Sequence, residues 1–273
     1  MGLVELRVSR SADRAGVIVG VVLLATLTRR VATVATAASL ALPALVGSSA
    51  STVAGEAVGI GHASLVAVTT TSLLSTKVAT VAPVPHRLTV YKAPNGAFMR
   101  YLSNRTPLGS LRTVLVTASR SDGWLQVLLP VRPNGTRGWI RKSAVITTTN
   151  PMRIVVSRRL KTLKLFRNGV FVMKFPVAVG KPSTPSPPGL FYVTDHIATG
   201  QPGGAYGPYA LGLSGFSNVL FSFAGSGGVV GIHGTNETSS VGHAVTHGCI
   251  RLYNRDITKL YSKVWIGTPV VVQ

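Results

Sequence analysis

Short runs of β-prone residues separated by turn residues occupy residues 86–150. The turns at 94–96, 122–123 and 133–135 carry combinations of Pro, Asn, Asp and Gly. Runs of this length and spacing predict about five strands folded as a small barrel or sandwich. We therefore expect a first β domain at residues 86–149, with the tryptophans at 124 and 139 packed in its core.

A second β-rich region begins at residue 152. Runs at 154–157 and 163–166 lead to an Asn-Gly turn at 168–169 and a further run at 170–179, a pattern that predicts a hairpin. More strands are predicted from further apolar runs, at residues 190–194, 209–213, 219–223, 229–233 and 270–272. We expect this second domain to span residues 152–273, with a boundary between the domains at 148–152, and to fold by itself.

One helix is predicted near the end of the chain. It runs from Arg255 to about residue 264, because Asn254 is a favourable N-cap and apolar side chains recur at helical spacing. The fold class is therefore mostly β, with one or two short helices in the second domain.

The first 50 residues predict an export signal. Three arginines, at positions 7, 10 and 14, precede an apolar run at 15–28, and small residues at 48–50 provide a cleavage site. An uncleaved membrane anchor is the alternative, although each apolar run is shorter than the roughly 20 residues that a span requires. Residues 51–85 are rich in Ser, Thr and Ala and predict a linker, although the low polarity of residues 51–82 leaves a short helix or strand as an alternative.

Charge restricts the partners of the chain. It has 28 Lys and Arg against 7 Asp and Glu, a net charge of +21, and so attracts polyanions. The basic residues are scattered without a dense run, which favours adhesion to a diffuse polyanion over tracking of a groove. Nucleic acid is not an expected partner.

The only cysteine, Cys249, lies close in sequence to three of the six histidines. His233, His243 and His247 precede it within sixteen positions. A lone thiol in an exported protein is inert, paired with another molecule, or chemically active. Because an adjacent imidazole accepts the thiol proton and stabilises the thiolate, a pair of Cys249 and His233 suits acyl transfer, and we expect the pKa of the thiol to lie below its ordinary value.

Glycines flank both candidate residues. Gly248 precedes the cysteine, where the missing Cβ lets backbone N–H groups approach a developing oxyanion. Gly234 follows the histidine, and we expect the same access there. Since Glu237 is the only acidic residue in this stretch, a backbone carbonyl is a candidate to orient the imidazole.

Two motifs resemble those of a known family. The Ile-His-Gly-Thr segment at 232–235, the 16-residue gap and the Thr-His-Gly-Cys-Ile-Arg-Leu segment at 246–252 resemble the signature of the L,D-transpeptidase catalytic domain. The segments at 179–182, 188–192 and 206–209 resemble the same family. Independently, the Trp-containing segments at 124–129 and 138–140 resemble bacterial Src-homology-3-like domains, which implies such a β-barrel at residues 86–149.

The resemblance implies roles for individual residues. Cys249 would be the nucleophile, His233 the general base, and the backbone of His247, Gly248 and Cys249 the oxyanion cradle. Thr246, where a serine is more usual, keeps a hydroxyl that holds the loop.

Two more residues have implied roles at the substrate, and one does not. Arg251 would bind a substrate carboxylate or, equally, anchor the loop, and Tyr206 would line a lid. We expect His243 to be solvated or structural.

The resemblance also implies a substrate and a compartment. A peptidoglycan stem peptide would be acylated onto Cys249 through its third residue, a diamino acid, with release of D-alanine and formation of a 3→3 cross-link. No cofactor or metal is required. We expect a monomer that acts outside the membrane, at the cell wall or anchored to the membrane, and adheres to anionic wall polymers.

Two alternatives remain open from the residues alone. His233, His243, His247 and Cys249 have side chains suited to zinc, although their spacing matches no familiar zinc site. A non-catalytic wall-binding protein is the second alternative, supported by the small β domain and the charge.

Overall fold

Almost all of the regular structure is extended, as alternation of apolar side chains predicts. The computed structural model describes residues 76–81, 87–222 and 227–273, all within one of two compact units of the chain, Leu65–Gln273. The predicted export signal and most of the predicted linker lie outside the described residues. No helix among the described residues is long and apolar enough to cross a membrane.

The described residues form seventeen strands and one α-helix. The strands of the first half are β1 (Thr76–Val81), β2 (Arg87–Tyr91), β3 (Phe98–Ser103), β4 (Thr113–Ser119), β5 (Trp124–Leu128), β6 (Arg137–Arg141) and β7 (Val145–Asn150). The remaining elements are β8 (Met152–Ser157), β9 (Thr162–Arg167), β10 (Val170–Pro176), β11 (Val179–Gly180), β12 (Gly189–Ala198), β13 (Tyr209–Phe216), β14 (Val229–His233), β15 (Ala244–Thr246), β16 (Ile250–Arg251), α1 (Asn254–Tyr261) and β17 (Pro269–Val272). The mostly β fold class is confirmed.

The first seven strands form one antiparallel sheet, which we call the N-terminal sheet. Its order is β3-β2-β6-β5-β4-β1-β7. Strand β1 pairs with both β4 and β7, so the linker prediction is wrong for residues 76–81. Its valines and alanine are buried in the core of this sheet, which gives the short strand its stability. That this region is Src-homology-3-like stays a prediction.

Eight further strands form the larger sheet, in the order β10-β9-β8-β17-β12-β13-β14-β16. Two of its pairs are parallel, β17 with β8 and β14 with β16. Strand β8 buries every second side chain, at Met152, Ile154 and Val156, as period-two patterning requires. Helix α1 buries Ile257 and Leu260 against this core.

Two local predictions are wrong. The apolar run at 219–222 forms bends instead of a strand. Helix α1 begins at Asn254 itself and Tyr253 occupies the cap position, because the Asn254 carboxamide is used elsewhere. Its Oδ1 accepts a hydrogen bond from the Thr235 amide, and its Nδ2 donates to the Pro202 carbonyl, both at 2.9 Å.

Strand β12 lies between the two cores. Phe191 and Val193 belong to the core of the larger sheet, whereas Tyr192, which is fully buried, belongs to the core of the N-terminal sheet. Polar contacts extend this interface, since Asn134 exchanges two hydrogen bonds with the backbone of Phe216 and Arg132 donates to the carbonyl of Ser217. The two sheets are therefore joined by an interface in which Tyr192 is packed and Asn134 and Arg132 form hydrogen bonds.

Candidate active site

Cys249 and His233 lie on neighbouring parallel strands. His233 ends β14, and Cys249 immediately precedes β16, whose Ile250 and Arg251 are in register with Ile232 and His233. Extending this register by one residue places Cys249 opposite Gly231. Because side chains alternate between the faces of a sheet, Cys249 and His233 project to the same face, with the side-chain-free Gly231 beside them.

Both residues line a cleft of about 600 Å³. No direct hydrogen bond joins the imidazole and the thiol among the contacts of the described residues. Hydrogen bonds between a base and a nucleophile are often long without substrate and tighten in the complex. The imidazole of His233 and the thiol of Cys249 therefore line one cleft but are not hydrogen-bonded to each other.

The orientation of His233 is set by the backbone. Its Nδ1 lies 2.6 Å from the carbonyl oxygen of Gly234, so Nδ1–H donates and Nε2 remains the basic nitrogen. The side chain is only 4% exposed, and this burial lowers its pKa to about 4. The hydrogen bond to Gly234 opposes that shift, and the charge of Arg251 adds to it. His233 is thus a neutral base at neutral pH.

Burial also governs Cys249. It raises the pKa of the thiol, and a hydrogen bond with the Gly231 backbone and the charge of Arg251 offset only part of that rise. The expectation of a lowered thiol pKa is therefore wrong, because burial outweighs both of the contributions that favour the thiolate. The resting pair is a neutral thiol and a neutral imidazole.

Thr246 holds the loop that carries the cysteine. Its buried hydroxyl accepts from the Gly248 amide at 3.1 Å and donates to the Cys249 carbonyl at 2.6 Å. The Gly248 N–H is thereby used inside the loop, so of the expected oxyanion cradle the Cys249 amide is the better placed candidate. Gly248 adopts a φ of +119°, a conformation that L side chains rarely adopt.

The loop at 181–187 braces the same segment, a role that the sequence did not reveal. The Thr184 hydroxyl donates to the Thr246 carbonyl at 3.0 Å, and the Ser186 hydroxyl donates to the Gly248 carbonyl at 2.8 Å. Ser186 also accepts from the Gly180 amide. These bonds hold the backbone around the cysteine from the side opposite Thr246.

Gly234 serves packing more than substrate access. A Cβ on Gly234 would lie 2.4 Å from Oδ1 of Asn254, and one on Gly207 would lie 2.2 Å from the same atom. The two glycines let the loop at 199–208 approach the end of β14 closely. That loop carries Tyr206, whose ring contacts the His233 imidazole edge-on with centroids 4.7 Å apart and lines the cleft.

The remaining predicted residues are Arg251, His243 and His247. Arg251 pairs with Glu237 at 2.5 Å, and its amide and carbonyl form a bridge to Ala178, which favours the anchoring role. The side chains of His243 and His247 are exposed. The described residues contain no group of three or more His, Cys, Asp or Glu side chains that could hold a metal, so the zinc alternative lacks a site there.

Sequence reasoning missed four polar residues that line the cleft: Thr106, Arg112, Thr194 and Asp195. Asp195 had a detectable signal, because it is one of only seven acidic residues in the chain and interrupts an apolar strand. Thr106 and Arg112 belong to the predicted first domain and carried no signal for this site.

Known proteins resemble the second half of the chain. The family model for YkuD, the L,D-transpeptidase catalytic domain, matches residues 151–272. A protein named L,D-transpeptidase YkuD in Bacillus licheniformis is 38% identical over 154 residues, which cover 54% of this chain and 85% of the relative.

Two proteins of Bacillus subtilis are also similar. One, named L,D-transpeptidase YkuD, is 40% identical over 45% of this chain and 67% of its own length; the other, named L,D-transpeptidase YqjB, is 30% identical over 44% of this chain and 69% of its own. The extent and identity of these matches lead to one conclusion: the chain belongs to the L,D-transpeptidase family.

Proposed function

We propose that this protein is an exported L,D-transpeptidase that forms 3→3 cross-links in peptidoglycan through an acyl-thioester on Cys249. One observation carries the proposal: Cys249 and His233 lie on adjacent parallel strands and face one cleft, and the residue opposite Cys249 in the register of the sheet is a glycine, Gly231. Membership of the family, whose relatives are named for this activity, gives the reaction class.

The first half-reaction acylates the enzyme. The sulfur of Cys249 attacks the carbonyl carbon of the third residue of the donor stem peptide, a diamino acid. Because burial disfavours both a resting thiolate and a resting imidazolium, the thiol proton passes to Nε2 of His233 as the S–C bond forms. The Cys249 amide is the candidate donor to the oxyanion of the tetrahedral intermediate.

Collapse of that intermediate breaks the amide bond to the terminal D-alanine. The imidazolium returns its proton to the departing amine, and a thioester remains on Cys249. In the second half-reaction, the side-chain amine of a neighbouring stem attacks the thioester, gives up a proton to His233, and releases the thiol. One amide bond replaces another, so the reaction consumes no nucleotide.

Export belongs to the same proposal. The basic and apolar pattern of residues 1–50 supports an export signal, and the substrate lies outside the cytoplasmic membrane. The net charge of +21 supports retention by anionic wall polymers.

Mass spectrometry of purified muropeptides tests the chemistry. With the wild type, we expect a product whose mass is the sum of donor and acceptor less one D-alanine, and a protein adduct with the mass of the acyl group. Cys249→Ala should yield neither while keeping its circular dichroism spectrum, and iodoacetamide but not EDTA should inactivate the wild type.

Two outcomes would contradict the proposal. Cross-linking by Cys249→Ala would exclude the thioester, and loss of activity with EDTA that zinc restores would favour the metal alternative. A donor that is shortened without any dimer would identify water, in place of a stem amine, as the acceptor.

A further inference from the structure

The cleft that contains Cys249 and His233 has two walls from different sheets. One wall belongs to the larger sheet, and the other is formed by the loop between β3 and β4, which contributes Thr106, Leu108 and Arg112. The N-terminal sheet therefore lines the same cleft as Cys249 and His233.

Asp195 lines this cleft and takes no part in the proposed thiol chemistry. Its register with β13 shifts between Val193 and Asp195, the mark of a β-bulge, and bulges redirect side chains. The carboxyl group is only 5% exposed, and its Oδ1 accepts a hydrogen bond of 2.5 Å from the Thr106 hydroxyl across the interface. Burial of a carboxylate is costly unless a partner compensates it.

Arg112 provides an opposite charge on the facing wall. Its guanidinium donates from Nε to the Ser103 carbonyl at 3.1 Å and from Nη2 to the Arg105 carbonyl at 2.7 Å, which fixes its position. The ion pairs of the described residues join Arg120 to Asp122, Arg251 to Glu237 and Arg255 to Asp256. Arg112 and Asp195 are thus opposite charges that line one cleft without a direct ion pair.

We propose that Arg112 and Asp195 form a bipolar subsite that binds a group carrying both an amine and a carboxylate. The carboxylate of that group pairs with Arg112, and its ammonium pairs with Asp195. A lone ammonium is repelled by Arg112, and a lone carboxylate is repelled by Asp195, so a zwitterion complements both walls best.

This assignment rests on the proposed function, because the ligand is the side chain of the diamino acid bound beside Cys249. A diamino acid whose side chain ends in an amino-acid centre presents the required zwitterion, whereas lysine presents an ammonium alone. The N-terminal sheet then acts in substrate selection through a residue of its own, Arg112.

Binding to the Cys249→Ala variant of the full chain tests the subsite without turnover. Calorimetry would compare two stem peptides that are identical except at the third residue, diaminopimelic acid in one and lysine in the other. We expect the diaminopimelic acid peptide to bind at least about tenfold more tightly, in the range measured for charge-paired contacts. Adding Arg112→Gln should abolish the preference, and adding Asp195→Asn should weaken both peptides.

Two control variants separate the effect of the subsite from a general loss of charge or of folding. Arg120→Gln removes one charge from the same sheet outside the cleft and should leave the preference intact. Asp195→Asn keeps an oxygen to accept the Thr106 hydrogen bond, so its fold is expected to survive if Arg112→Gln does not. Thermal melting of every variant establishes folding.

Equal binding of the two peptides by Cys249→Ala, or an unchanged preference in a folded Arg112→Gln variant, would overturn the assignment. Its failure is separable from that of the proposed function. Normal cross-linking with equal kcat/KM for both peptides would contradict only the subsite. Selective binding without any turnover by the wild type would contradict only the transpeptidase proposal.

Discussion

The Nδ1 atom of His233 lies 2.6 Å from the carbonyl oxygen of Gly234, the next residue in the chain. This contact fixes the tautomer without an acidic residue, and the ring stays buried and uncharged. A carboxylate in the same position would stabilise an imidazolium, whereas a carbonyl dipole does so less. Burial is the main cause of the neutral charge state of His233, and the carbonyl of Gly234 offsets it only in part.

Alkylation of Cys249 by iodoacetamide should reach its half-maximal rate at a higher pH than alkylation of a free cysteine derivative, because burial raises the pKa of the thiol. His233→Ala should not move the midpoint upward, since water in place of the ring solvates the thiolate. His243→Ala, at an exposed position, is the control and should change nothing. A midpoint below that of free cysteine would indicate a thiolate–imidazolium pair instead.

Stability should depend on pH through His233. Its folded pKa of about 4 lies below the ordinary value, so between these pH values the unfolded chain binds more protons than the folded one. The free energy of unfolding should therefore fall as the pH drops from about 6.5 to about 4, by about 3 kcal/mol from this residue. Urea titrations of the wild type and His233→Gln isolate the effect, and equal slopes against pH in the two proteins would refute it.

Gly234→Ala should destabilise the protein and lower activity. The added Cβ would lie 2.4 Å from Oδ1 of Asn254 and 3.1 Å from Cα of Gly207, so the Asn254 side chain and the loop carrying Tyr206 must shift, at a cost of about 1–3 kcal/mol. Gly203→Ala in the same loop is the matched control, because a Cβ there meets nothing within 4 Å. Denaturant unfolding measures both, and similar losses in the two variants would contradict the packing argument.

We expect the ring of Tyr192, and not its hydroxyl, to contribute to the free energy of unfolding. The hydroxyl is buried without a hydrogen-bond partner, so Tyr192→Phe should leave the free energy of unfolding unchanged within about 1 kcal/mol, or raise it. Tyr192→Ala should cost about 3–5 kcal/mol, because it empties the place of a large ring in the core of the N-terminal sheet. A large loss in Tyr192→Phe would reveal a contact of the hydroxyl that the structure lacks.

A fragment of residues 151–273 should melt at a lower temperature than the full chain and turn over substrate more slowly. Without the N-terminal sheet, Tyr192 becomes exposed and Asp195 loses the hydrogen bond from Thr106. Calorimetry and muropeptide turnover measure the two effects. Equal melting temperature and activity would contradict this prediction and favour a region that folds and functions by itself.

Local patterns predicted much of this fold because their causes are local. The Asn168-Gly169 turn and the alternating apolar residues of β8 and β9 act within a few residues, and the structure contains the hairpin that they predict. Strand β1 could not be distinguished from a linker, because its stability comes from pairing with β4 and β7, which lie far along the chain. The short segment itself carries no pattern that identifies these partners.

In the candidate site, too, the sequence predicted the features with local causes and not those that depend on distant elements. Spacing in the sequence identified Cys249 and His233, and the structure brings both to one cleft. The sign of the thiol pKa shift could not be predicted, because it depends on burial by surrounding elements. Asn254, predicted as a helix cap, instead connects Thr235 to Pro202, a use that depends on a loop some fifty positions earlier.

Strand β16, which follows the nucleophile, is the outermost strand of the larger sheet. An open sheet edge invites an extended peptide to add as a further strand. Here the Arg251 amide donates to the Ala178 carbonyl at 3.1 Å, and the Ala178 amide donates to the Arg251 carbonyl at 2.9 Å, so this edge is already paired. A stem peptide therefore cannot reach Cys249 by strand addition at Arg251, and has to be recognised through its side chains and termini from the cleft.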